Sequence, residues 1–197
     1  MTAKPIDLRE IRQLMVDTHR FATVTGQFFL IWGTILCTAM VVTALPTPWR
    51  LGLTALPIWV ACIALGWLLT YLAIRRLRRL AEASAPDSRL SGQVWFATGL
   101  ALCIVMFVGL PSGAVPAAAA FGIDACVIAI GVFVNGLLFR LRWLRNTAYA
   151  WWAAGAAMLL FPGATAYWLF IGCVLLLFVV PGLQLNRMAR GATRRNG

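Results

Sequence analysis

Six long apolar runs, separated by short stretches that carry nearly all the charge, organise the chain. They lie at about residues 22 to 45, 52 to 74, 92 to 110, 117 to 139, 147 to 161 and 164 to 183. The runs are continuous rather than alternating, which points to helices and away from the strands of a barrel. Most match the roughly 20 residues that a helix needs to cross a hydrocarbon core about 30 Å thick. The fifth is short, and its flank predicts an earlier start, with Arg142 and Arg145 reaching back to the headgroups along their apolar stems. The predicted fold is therefore all-α, an integral membrane bundle of six transmembrane helices.

Three segments follow from the same pattern. In residues 1–21, Leu8, Ile11, Met15 and Thr18 share one side of a helix while Asp7, Arg9, Arg12 and Arg20 fall mostly elsewhere, which predicts an amphipathic helix in the membrane interface. Residues 22–185 form the transmembrane domain, and 186–197 form a basic tail expected to be poorly ordered. The polar stretch before the first run, and that run's length, favour a retained span over a cleaved signal.

Internal repetition adds a second layer of organisation. With an offset of 66, Gly26, Gln27, Gly33, Leu36, Cys37, Met40 and Val42 match Gly92, Gln93, Gly99, Leu102, Cys103, Met106 and Val108, seven identities in 17 ungapped positions. The first, third and fifth runs each end at a proline (Pro46, Pro111, Pro162), and the returning runs share a small residue followed by cysteine at Cys62, Cys126 and Cys173. Three outward-and-back hairpins of one kind are predicted, related about an axis along the membrane normal. Positions 26, 33, 37 and 40 fall within about 60° of one another around a helix. Gly26, Gly33, Cys37 and their counterparts Gly92, Gly99 and Cys103 are therefore expected to form close helix-packing faces.

Charge fixes an orientation. Of 17 Lys and Arg, 16 fall before the first run, in the second and fourth connections, or after the sixth, and only Arg50 falls on the other side. By the positive-inside rule both termini are cytoplasmic, in a bacterial inner membrane. The net charge of +11 is then a basic inner rim suited to anionic lipid headgroups, and a nucleic-acid partner is not expected. A composition of 61% hydrophobic and 12% charged residues agrees with lipid as the solvent.

Candidate chemistry is sparse. Asp124 is the one acid of six outside the inner rim, about seven residues into the fourth run. Intramembrane carboxyls are expensive and generally face a bundle interior or an aqueous cavity. Ala117, Ala120, Gly131 and Asn135 share its helix side, so Asp124, Gly131 and Asn135 make a candidate polar site. One reading is a protonatable or cation-binding group; the other is a buried carboxyl hydrogen-bonded to a neighbouring helix for packing. The five cysteines sit in five different runs without a C-x-x-C pair, and as small apolar residues they need no metal or redox role. His19 stands alone at the inner interface, and Trp49, Trp143 and Trp168 fall where indoles anchor spans, while Trp151 and Trp152 lie deeper. No nucleotide loop, catalytic triad or carboxylate pair can be assembled, so neither an enzyme nor a cofactor is expected.

Several short stretches, Ile11-Arg12 with Met15, Arg20-Phe21 with Gly26, Val134-Asn135, and Phe161-Pro162-Gly163 followed by Trp168 and Gly172, resemble a group of small six-span bacterial inner-membrane proteins. The three-hairpin plan is similar to that of the small acid-resistance membrane proteins in architecture alone. Neither resemblance implies a catalytic residue. Three functions are therefore open. The first is a non-enzymatic protein of membrane homeostasis or signalling that engages lipid or a protein partner through its cytoplasmic face. The second is a small transporter or channel for a proton, cation or small solute using Asp124, and the third is an accessory subunit or homo-oligomer within a membrane complex.

Overall fold

The computed structural model describes residues 8–45, 55–79 and 86–195, with side chains described for 25–45, 55–76 and 90–187. Pro46, Trp49 and Arg50 therefore lie outside the described residues, as do the side chains of the N-terminal segment, His19 among them. Seven α-helices occur among the described residues: α1 (Leu8–Ala44), α2 (Ala55–Arg79), α3 (Pro86–Ile104), α4 (Ala117–Leu138), α5 (Arg142–Leu160), α6 (Ala164–Val174) and α7 (Val180–Arg195). A π-helical turn, Val105–Gly109, extends α3, and a second, Leu175–Val179, joins α6 to α7 in one continuous rod. No strand occurs among the described residues.

Five segments are long and apolar enough to cross a membrane: Thr25–Ala44, Ala55–Arg76, Leu90–Gly109, Ala117–Leu138 and Ala164–Arg187. The remaining helix, α5, has 19 residues, and its first five include Arg142, Arg145 and Asn146, so it starts early, as its flank predicts. Large apolar side chains such as Leu65, Leu68, Phe96, Leu160 and Leu176 are exposed around the outside. In water such a surface would drive aggregation, but against lipid tails it carries no such penalty.

The course of both terminal helices is visible. The helix expected before the first run continues into it without a break, residues 8–21 being the first turns of α1, a helix of 37 residues and so about 56 Å long. Nothing between Leu8 and Gly26 interrupts the hydrogen-bond ladder, since no proline occurs there. Likewise α7 runs to Arg195, through the stretch expected to lack order. Gly191 alone does not stop a helix that the preceding span has already nucleated.

Contacts at the two ends show that the spans alternate in direction. At one end Gly26 lies against Asn186, Gly136 against the Arg145 backbone, and Ser91 bonds Asn135. At the other, the Tyr167 hydroxyl donates to the Met40 carbonyl, and Phe121 meets Tyr167 with ring centroids 5.7 Å apart. Every arginine in the described segments belongs to the first of these ends. Around the bundle the order is α2, α1, the α6–π–α7 rod, α5, α4 and α3, with α1 packed on both α2 and the rod. The circle is weakest between α2 and α3, where Trp67 supplies the bridge, sitting over Gly99 and 5.9 Å from the Phe96 ring.

The tightest pairing is α4 with α5. A methyl group added at Gly122 would lie 3.0 Å from the Gly155 carbonyl oxygen, and one at Gly155 would lie 3.1 Å from that of Gly122. Ala125, Ala129 and Ala148 are wholly buried, so two backbones approach over several turns. The connection closes in a Schellman pattern, with the Leu141 amide donating to the Gly136 carbonyl and the Arg140 amide to that of Leu137. Arg140 takes the left-handed position there, with φ of 53°, where glycine is usual.

The predicted packing faces are realised unequally. Gly26 and Gly33 face the rod, where added methyl groups would come within 2.9 Å of Asn186 and 2.7 Å of Val179. Gly99 faces Trp67, and Cys37 packs against the core. Gly92, however, is exposed with nothing within 4 Å of an added methyl. The expectation of a packing role is corrected there, because α3 turns Ser91, Trp95 and Thr98 toward α4 and leaves Gly92 outside.

Candidate functional site: an aromatic cavity around Asp124

Asp124 lies two turns into α4 and is 6% exposed. Its Oδ1 is buried without a hydrogen-bond partner. Asp124 is part of the wall of a cavity of about 70 Å³ built from α1, α2, α3, α4 and the rod. From α1 come Phe28, Trp32 and Leu36, and from α2 Trp59, Ile63 and Trp67. The α3 span contributes Trp95, Thr98, Gly99, Leu102 and Cys103, and the rod contributes Phe170 and Phe178.

The rings hold one another in place by edge contacts. Trp32 donates its indole N–H to the Thr70 hydroxyl at 3.1 Å and meets Trp67 edge-on at 5.7 Å. Phe178 stacks on Phe29 at 4.5 Å and stands edge-on to Trp95 at 5.9 Å. Trp151, fully buried in α5, backs this wall against Phe170 and Phe178 without lining the cavity.

Both π-turns feed the site. Each ends two residues before a proline, Pro111 or Pro181. Proline cannot donate to the carbonyl four residues back, and its ring crowds that carbonyl, so the preceding turn widens. The widened turns place Met106 and Phe178 on the cavity wall.

The predicted polar stripe divides in two. Asn135 is fully buried and does not reach the cavity. Its Oδ1 accepts from the Ser91 hydroxyl at 2.5 Å, and its Nδ2 donates to the Gly131 carbonyl at 2.8 Å. Gly131 lies against Thr98, 2.7 Å from an added methyl. Asn135 and Gly131 thus form an α3–α4 clamp at the arginine-rich end, and of the three only Asp124 is on the cavity wall. Ser91→Ala leaves a buried acceptor unpaired and is expected to lower stability by about 1 kcal/mol, read as a lower unfolding midpoint in a detergent–denaturant titration. An unchanged midpoint would mean that the clamp contributes nothing.

Toward the opposite end lies a wider cleft of about 560 Å³, bounded by Thr43, Ala55, Gly163, Tyr167 and Trp168. Trp59 and Phe121 line both this cleft and the Asp124 cavity, and so stand between them. Gly163, with φ of +90°, turns the chain into α6 at the cleft rim.

The five cysteines are free thiols, and Cys103 is on the cavity wall. The aromatic box itself is not among the sequence expectations. Its signal lies in Trp32 and Trp67, which sit well inside their runs, where no interface needs an indole. No family model, curated protein or solved structure matches the chain.

Proposed function

We propose that this is a non-enzymatic membrane protein that binds a small solute at Asp124 and passes it through the bundle. One observation carries the reading: a carboxyl whose Oδ1 is buried without a hydrogen-bond partner, on a residue that forms part of the wall of a cavity. A carboxyl kept for packing would be hydrogen-bonded, as Asn135 is. The wide cleft on one side of the Trp59–Phe121 partition and the closed Ser91–Asn135 clamp on the other give the arrangement of a site accessible from one face. The positive-inside rule places the arginine-rich, closed end in the cytoplasm of a bacterial inner membrane, with three similar hairpins making the bundle.

Proteoliposomes test this with a panel of protons, alkali cations and small organic solutes. At least one is expected to cross with the native protein and to stop with Asp124→Asn. Flux of none, or equal flux in both proteins, removes the transport reading.

A second reading draws on the arginines gathered at one end. Such a rim attracts anionic headgroups by about 1 kcal/mol per residue near the surface, which supports a role in membrane homeostasis through lipid or a protein partner.

A further inference from the structure

The wall chemistry of the Asp124 cavity narrows the ligand further than transport alone does. Apart from the carboxyl, its polar side-chain groups outside the indoles are the Thr98 hydroxyl, which already donates to the Val94 carbonyl at 2.8 Å, and the Cys103 thiol. A hard metal cation asks for about six oxygen ligands, and this wall does not provide them. A neutral polar solute would find, besides the carboxyl, the Trp95 indole N–H, which is buried without a partner, and little else. Four indoles, Trp32, Trp59, Trp67 and Trp95, surround the space instead. Indole faces attract cations through the ring quadrupole, and most strongly where water is excluded.

Size gives the same answer. A water molecule occupies about 30 Å³ of liquid, so a cavity of about 70 Å³ admits one compact head group and little more. A longer apolar body would lie in the α2–α3 seam, which Trp67 bridges, or toward the outer cleft through Trp59 and Phe121.

We infer that the cavity takes the ammonium head of a lipophilic amine, the Asp124 carboxylate pairing with the charge and the indole faces enclosing its methylene groups. The inference rests on the transport reading for its biological sense, but binding tests it separately. It explains why a carboxyl sits unpartnered among aromatic rings: its partner is the ligand.

Protein in lipid nanodiscs, titrated calorimetrically with phenethylammonium or with neutral 2-phenylethanol against empty nanodiscs, decides the matter. The amine is expected to saturate one site per chain, with the alcohol at least about tenfold weaker, the scale of one desolvated cation–π contact with an ion pair. Asp124→Asn is expected to abolish that preference and Asp124→Glu to retain it. Equal binding of the two probes, or no amine binding above the empty discs, overturns the assignment, and titration of the native protein is enough to show either result even if a variant misfolds. Flux of another panel solute that depends on Asp124, without amine binding, sinks the ligand class and leaves the transport reading standing. Amine binding without flux of any panel solute upholds the ligand class and removes transport.

Discussion

Asp124→Leu is expected to make the protein harder to unfold and to abolish its flux. The native side chain is largely buried and its Oδ1 is unpaired, so the hydrogen bond that would offset the burial of that oxygen is missing. A carboxyl at the centre of a span costs about 2.5–3.5 kcal/mol on insertion scales, and leucine is favourable there. Asp124 lies three to four residues off the middle of its helix, toward one end, so a gain of about 1–3 kcal/mol is expected. The neighbouring space of about 70 Å³ accommodates the extra methyl groups without overpacking. Unfolding midpoints in mixed detergent, measured beside proteoliposome flux, give both halves of the result. A protein that becomes less stable would show that the carboxyl holds the bundle together, and the functional reading of the cavity would fall. Gain of stability with loss of function is the pattern of a residue kept for its chemistry.

The extent to which the sequence disclosed this structure differs by level. The location of five of the six expected spans followed from the length of the apolar runs, because the bilayer imposes that length whatever the tertiary contacts are. The early start of α5 followed from the stems of Arg142 and Arg145. The course of the helix ends did not, since α1 and α7 continue past the apolar boundary and composition alone gives no stop signal there. Pairing was only half legible. The repeat selected glycines, but identical residues at 26 and 92 face the rod in one case and open space in the other. A helix face is defined by neighbours, and the sequence does not state which neighbours it has.

The site shows the same division. An acid inside an apolar run is visible at once, and its cost marks it for attention. Whether it meets a partner or a void depends on rotations of α1, α2 and α3 that no local pattern encodes. Asn135 looked like part of the same stripe because it shares a helix side with Asp124, yet the two lie about 16 Å apart along the axis, and Ser91 claims only one of them. The prolines at 111 and 181 did carry readable information. Each implies a disturbed turn just before it, and in this bundle both disturbed turns supply cavity wall.

Gly155→Leu is expected to be the most damaging single change in the scaffold, and Gly92→Leu provides its control. A first side-chain carbon at Gly155 would stand 2.9 Å from the Cys126 sulfur and 3.1 Å from the Gly122 carbonyl oxygen. The second of these is backbone in a helix and cannot rotate away, so α4 and α5 must separate. Their separation would open the contact among Ala125, Ala129 and Ala148 in the tightest helix pair of the bundle, which joins the second expected hairpin to the third. Alanine at Gly155 should cost about 1 kcal/mol and leucine about 3 kcal/mol or more, at the upper end of overpacking penalties. Leucine at Gly92 meets nothing within 4 Å and points outward, so its effect should stay within about 0.5 kcal/mol. The two glycines have the same helix environment in sequence terms, so intrinsic helix propensity cancels between them and only the approach of a neighbour remains. Unfolding midpoints and the yield of monodisperse protein in mild detergent measure the difference. Equal tolerance at both positions would mean that α4 and α5 are not packed backbone to backbone. The Asp124 cavity would then lose the wall that Trp151 supports from α5, because Phe170 and Phe178 rest against that indole.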